Sequence, residues 1–312
     1  MRRFASFQVL AVALLALAPD IALADGTGAA ALPWWGWPLI LFAVTFVLGI
    51  FAVLGGVGGG VLFVPIVSGF FPFHLDFVRG AGLMVALAGA LSAGPDLLRN
   101  GMASLRLALP LALIASASAI VGALAGLAMP THVVQTALGV TILVILVIMA
   151  SARKSEFPEV PAADALSTAL RINGLYYDAA SRREIDWKVH RTPQGLALFA
   201  VIGVMAGMFG LGAGWANVPA LNLLMGAPLK VSVATSSFIL SIVDSSAAWV
   251  YFNQGAVLAI VTVPSIIGMM LGARVGVRLL KVAPASVVRK VVLTMLAIAG
   301  TRAVLKGLGI WN

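Results

Sequence analysis

Eight long apolar segments leave this chain no aqueous fold. They run Leu39–Phe71, Val78–Leu97, Leu105–Met129, Val133–Ser151, Gly195–Met225, Val231–Phe252, Ala256–Leu280 and Ala285–Val304. A helix needs about 20 apolar residues to cross a bilayer core, and these segments approach or exceed that length. Of 312 residues, 61% are hydrophobic and 10% are charged, where a soluble domain carries roughly 25% charged residues. The chain cannot cover itself with polar surface, so its solvent is lipid. Soluble enzymes and nucleic-acid binders are excluded, despite a net charge of +9. In a membrane protein an excess of Lys and Arg is first a topology signal. Cysteine is absent, which removes disulfides, thiolate catalysis and cysteine-ligated metals.

Residues 1–24 have the parts of a secretory signal. Arg2 and Arg3 start it, Val9–Ala18 is a short apolar run, and Ala22-Leu23-Ala24 is a small-x-small cleavage site. An uncleaved anchor helix is the rival reading, and both put Asp25 on the outer face. Pro33-Trp34-Trp35-Gly36-Trp37-Pro38 then reads as an interfacial aromatic belt.

The rest is organised by a repeat. A shift of 154 residues, without a gap, brings Gly49 onto Gly203, Gly56 onto Gly210, Gly58 onto Gly212, and Gly60 onto Gly214. It also brings Pro65 onto Pro219, Gly101 onto Gly255, Pro110 onto Pro264, Gly122 onto Gly276 and Pro130 onto Pro284. Gly and Pro fix unusual backbone dihedrals, so their coincidence indicates a shared chain path. Three regions follow: a first membrane repeat at 25–151, a polar central segment at 152–193, and a second membrane repeat at 194–312. In the central segment Ile172, Tyr176, Tyr177, Ile185, Trp187 and Val189 alternate around a turn at 179–181, the period of a small β-hairpin.

Each repeat opens with an apolar segment interrupted by glycines, at Leu54–Gly60 and Phe209–Gly214. Each glycine costs about 0.8–1.0 kcal/mol relative to Ala inside a helix, so the helices break there. Two topologies are open. If each broken segment crosses once, the repeats are parallel. If each turns back to its starting side, the repeats are inverted. With Asp25 outside, single crossing puts seven Lys and Arg inside and eleven outside. Re-entry puts fifteen inside and leaves three outside, Arg79, Arg302 and Lys306. The positive-inside rule favours inverted, re-entrant repeats. The expected fold is therefore an all-α polytopic membrane protein of two four-segment repeats with a small central hairpin.

At the glycine motifs the sequence resembles the TauE/SafE family of sulfite exporters, also called the toluene-sulfonate uptake permease family. The residues carrying the resemblance are Gly55-Gly56-Val57-Gly58-Gly59-Gly60 with Pro65, and Gly207–Gly214 with Pro219. Ala227–Ser237, Asn100-Gly101 and Gln254-Gly255 are similar to later family motifs. The resemblance covers about Leu39–Leu305. It implies ATP-independent transport of a small sulfur-containing or organic anion, such as sulfite, sulfoacetate or a sulfonate. The family is usually described as a duplicated four-segment unit, and the inverted reading departs from that. The chain also departs from a symmetric motif, with Ala213 opposite Gly59 and Ala81-Gly82 opposite Thr235-Ser236.

A small oxyanion needs hydrogen-bond donors and positive potential. Glycine turns offer exposed backbone N–H groups, and a following helix adds the positive end of its dipole. Gly58, Gly59, Gly60, Gly212, Ala213 and Gly214 are the first candidates for substrate binding, with tight helix packing as their alternative role. Asn217, Thr235, Ser236 and Ser237 add uncharged donors, which could instead serve neighbouring backbone. Asp244 lies in mid-span, where a carboxylate costs roughly 2.5–3.5 kcal/mol. It is the candidate for ion coupling through protonation, or else a structural partner of Arg274, Ser241 or Ser245. Asp76 and Arg79 sit near segment ends and read as interface markers.

Scattered histidines offer no metal cluster, and no H-E-x-x-H or G-x-S-x-G occurs. We expect no cofactor, no metal and no enzymatic activity. The expected partners are a small anion (sulfite or an organosulfonate) and the lipid bilayer, with proton coupling and a homodimer left open and nucleic acid excluded. The expected location is a bacterial-type inner membrane. A non-transporting scaffold that docks partners through the central segment is the competing class.

Overall fold

The computed structural model describes Pro33 and residues 35–55, 58–99, 103–151, 158, 160, 162–178, 183–280 and 285–310. The expected signal at 1–24 and the hairpin turn at 179–181 lie outside these residues. The described chain is mostly helical. Its elements are α1 (Gly36–Gly55), α2 (Gly59–Phe70), α3 (Leu75–Arg99), α4 (Leu105–Ala128), α5 (Thr131–Ser151), α6 (Ala165–Ala169), β1 (Asn173–Asp178), β2 (Arg183–Lys188), α7 (Thr192–Phe209), α8 (Gly214–Pro219), α9 (Leu229–Asn253), α10 (Ala259–Leu280) and α11 (Ala285–Gly307). A π-helical turn, Ala220–Leu224, continues α8. Among the described residues, six helices are long and apolar enough to cross a membrane: α3, α4, α5, α7, α9 and α10. The chain is a multi-pass membrane protein.

Shifted by 154 residues, the limits of α3 fall on those of α9, and the starts of α4 and α5 fall on those of α10 and α11. The packing is reciprocal in the same register. Helix α1 packs on α10 as α7 packs on α4, and α3 packs on α10 as α9 packs on α4. Small residues permit the closest of these crossings. Gly203 and Gly207, one turn apart, set the α7 backbone against Ala115 and Ala119 of α4. Gly268 and Gly272 set α10 against Phe42 and Phe46 of α1. Without Cβ atoms the backbones approach closely enough for dispersion contacts to hold apolar helices together in lipid, where burial from water supplies no drive.

Contact partners give the helix directions. In α1 and α10, and in α4 and α7, partner numbers rise together, so these pairs run parallel. In α5 and α11 they run in opposite senses: Gly307 meets Thr136, Gly139 meets Val304, and Gly300 meets Ile142. Helices α3 and α9 are also antiparallel. The Arg79 guanidinium, at the start of α3, lies 5.7 Å from the Tyr251 ring centre near the end of α9. Beyond the end of α3, the Ser104 N–H donates to Thr235 Oγ1 near the start of α9, at 3.1 Å.

The ends of the broken helices meet their own beginnings. Trp37, at the start of α1, packs edge-on against Phe71 and Phe73 beyond α2, with ring centres 6.1 and 5.6 Å apart. Just before α7, the His190 N–H donates to Met225 O beyond the π turn, at 3.0 Å.

The central segment folds into α6 and the β1–β2 hairpin, paired antiparallel from Asn173↔Lys188 to Asp178↔Arg183. Alternation turns Trp187, flanked by Ile172 and Val189, into a small apolar core. Asp164 ties this module to the membrane bundle. Its Oδ1 accepts from the Ser167 N–H at 3.1 Å and from the Thr192 hydroxyl at 2.8 Å, and its Oδ2 accepts from the Thr192 N–H at 2.9 Å. Burial pushes this carboxyl up, but the bonds from Ser167 and Thr192 together outweigh it and hold the group below its ordinary range. A lowered carboxyl stabilises above its unfolded value near 3.9, and that stability is lost as pH falls through the folded value. Asp164→Ala removes an N-cap worth about 1 kcal/mol. Hydrogen exchange at 164–192 should then quicken roughly fivefold at neutral pH, with the gap from wild type closing in acid.

Candidate functional site

The two helix breaks form for the same local reason and then touch. Helix α1 ends at Gly55, and α2 starts at Gly59 after Gly58, whose φ of 81° and ψ of 149° suit glycine. Helix α7 ends at Phe209, where Gly210 closes it in the left-handed conformation. Gly212 is also left-handed, with φ of 69°, and α8 begins at Gly214. A methyl group on Gly60 would lie 2.5 Å from Leu211 O, and one on Gly58 would lie 3.9 Å from the Gly214 Cα. Ala86 of α3 packs against both Gly60 and Gly212. Gly59 faces the Met269 side chain of α10, and Ala213 is fully buried.

Asp244 of α9 closes this meeting point. A methyl group on Gly212 would sit 3.0 Å from Asp244 Oδ2. Asp244 is 0% exposed, and neither carboxylate oxygen has a hydrogen-bond partner. Its expected alternatives are occupied elsewhere. The Ser241 hydroxyl donates to Phe238 O and that of Ser245 to Ser241 O. Arg274 is exposed, and no ion pair among the described residues reaches Asp244. In α8, Asn217 is 0% exposed with both amide atoms unpartnered, and the Trp215 indole N–H also lacks an acceptor. Unpaired buried polar groups are costly, and three residues that carry them, Trp215, Asn217 and Asp244, lie on α8 and α9 beside the second glycine turn.

The helices that follow the two breaks are realised differently. Helix α2 runs regularly through Pro65, whereas Pro219 ends α8 and the chain continues as a π turn. A π turn of this kind widens the backbone and is common at functional sites.

Two of the three α9 hydroxyls bond to backbone. Thr235 is nine residues before Asp244, about 13 Å along the helix. Its hydroxyl accepts the bond from Ser104. Ser236 is buried, and the Ser237 hydroxyl donates to Val233 O of its own helix. Asn222 Nδ2 donates to Ala227 O at 2.9 Å, holding the loop after the π turn.

Two residues beside the site were not anticipated in this role. Arg79, expected to mark an interface, is 1% exposed. It donates from Nη1 to Met208 O at 2.8 Å and from Nη2 to Gly126 O at 3.2 Å, and it pairs with Asp76. The Tyr251 hydroxyl donates to Gly207 O at 3.0 Å and to Met208 O at 3.3 Å. The repeat held the available signal: the 154-residue shift puts Val233 opposite Arg79 and Leu97 opposite Tyr251.

A multi-pass bundle in which two glycine-broken helices meet over a buried carboxylate has the character of a membrane transporter, since transporters tolerate irregular backbone where it lines a binding site. The family model for the sulfite exporter TauE/SafE matches residues 41–303, and the chain belongs to that family. By its description that family is one of exporters, not of enzymes. The probable membrane transporter protein YunE of Bacillus subtilis (strain 168) is 34% identical over 82 residues, 26% of this chain and 30% of that protein. The match thus spans under a third of the relative's length. No solved structure matches.

The meeting of the turns gives a steric prediction. Gly60→Ala forces a methyl group onto a backbone carbonyl and costs about 1–3 kcal/mol by overpacking. It should lower the melting temperature of the purified protein. Gly89→Ala, with nothing within 4 Å of the new methyl group, should leave it unchanged or slightly raised.

Proposed function

We propose that the protein is a secondary transporter of small sulfur-containing or organic anions, such as sulfite, sulfoacetate or sulfonates, in a bacterial-type inner membrane. The observation that carries this is the fully buried, unpartnered Asp244 carboxylate beneath Gly212, where the two glycine turns meet. The backbone N–H groups at Gly58–Gly60 and Gly212–Gly214, with the Asn217 amide, supply donors that replace the anion's water. Protonated Asp244 can donate a bond to the anion, and ionised Asp244 repels it. Anion movement is thereby coupled to a proton, because an ionisable group inside the membrane is costly unless function uses it. With no cysteine present, the anion is held without covalent exchange.

On this reading the halves 25–151 and 194–312 are inverted repeats around the central segment 152–193, each opening with a re-entrant pair, α1–α2 and α7–α8. The contacts of Trp37 with Phe71 and of His190 with Met225 favour re-entry. The antiparallel α3–α9 and α5–α11 pairs favour inversion. Thr235, Ser236 and Ser237 then add hydroxyl donors along the anion's path.

Vesicles loaded with sulfite test the transport reading. Wild-type protein should release sulfite faster than empty vesicles do, and Asp244→Asn should lose at least about tenfold in rate together with its dependence on a proton gradient. Release no faster than from empty vesicles, across sulfite, sulfoacetate and taurine, would overturn it in favour of a scaffold. Reporter fusions test the topology: one after Ser151 should read inside and one at Asn312 outside.

A further inference from the structure

The buried cation nearest the second glycine turn has no part in the chemistry above, yet its bonds converge on that turn. Helix α7 stops inside the bundle, so its last carbonyls lose their helical N–H partners. Ala206 O keeps the last helical bond, from the Gly210 N–H at 3.0 Å, and the next two carbonyls are taken up by side chains. Arg79 donates to Met208 O, and the one Tyr251 proton is shared between Gly207 O and Met208 O. Arg79 also carries a positive charge at the negative end of the α7 dipole. It reaches the end of α4 through Gly126 O. The clamp is steric as well as polar, because Gly210 packs directly on the Arg79 backbone. Two residues beyond Gly210, Gly212 lies over Asp244.

We infer that Arg79 and Tyr251 are positioning residues for anion binding: by closing the end of α7 they fix the second glycine turn over Asp244. This rests on the transport reading, and it adds two residues that never touch the anion. The clamp draws one residue from each half but serves only the second break, because Val233 and Leu97 stand at the shifted positions and can donate no side-chain hydrogen bond. Arginine is required rather than lysine. A guanidinium can bond two separate carbonyls and lie over the tyrosine ring at once, whereas an ammonium is a compact point charge on a flexible stem.

The test measures sulfite transport by the full-length protein in proteoliposomes, with half-saturation and maximum rate taken separately and normalised to folded protein. Tyr251→Phe keeps the ring under Arg79 and removes only the hydroxyl, so it is the variant least disturbing to folding. Tyr251→Phe and Arg79→Lys should each raise the half-saturation concentration about fivefold or more. Leu111→Ala, a core truncation in α4 away from the clamp, should reduce folded protein while leaving half-saturation at the wild-type value. Transport by wild type with unchanged half-saturation in both clamp variants would overturn the inference and leave the transport reading standing. A wild type that moves no anion would overturn both.

Discussion

The structure depends on one constraint: inside a bilayer, a backbone carbonyl or N–H with no partner has no water to turn to. A chain that breaks a helix in lipid must satisfy the broken end with its own side chains. At the end of α7, Arg79 and Tyr251 do this. At the end of α2 the same task falls to α11, where Lys306 donates to Ser68 O at 3.0 Å and the Arg302 guanidinium lies 4.1 Å above the Phe70 ring. The glycine seams follow from the same constraint. Side chains can reach across to carbonyls on another helix only if backbones come close, and Gly203, Gly207, Gly268 and Gly272 allow that.

Much of the fold was legible in the sequence because its signals are local. Apolar length marked the helices, and the paired glycines marked the breaks. Alternation from Ile172 to Val189 marked the strands flanking the hairpin turn. At the site, Gly58, Gly60, Gly212, Gly214 and Asp244 converge, and each could be named from backbone demand or from the cost of a charge in lipid. Arg79 and Tyr251 could not be named this way. Both lie within a few residues of segment ends, where a basic or phenolic side chain ordinarily reaches toward water. Only the tertiary fold turns them inward onto α7. Thr235 shows the reverse: a hydroxyl grouped with others by sequence is used to hold the Ser104 backbone. The π turn after Pro219 was also hidden, since Pro65 sits in a regular helix.

Element limits coincide at the 154-residue shift, but the chemistry at the shifted positions does not. Asp244 has Ala90 at its counterpart position, Asn217 has Phe63, and Trp215 has Val61. Apolar residues occupy the first half wherever the second carries an unpartnered polar atom beside the turn. The polar load is concentrated on one turn, and the other supplies glycine backbone against it.

The helix-end cations also change what the chain's charge means. Arg79, Arg302 and Lys306 lie at the end of the bundle that carries Trp37 and Phe71, and each answers to a carbonyl or ring of a broken helix. They are the three residues that the proposed inverted topology would leave on the outer side. Their positions are set by local bonding, so they give no information about orientation. Bonds such as these would hold a basic side chain at a helix end whichever side of the membrane it faced.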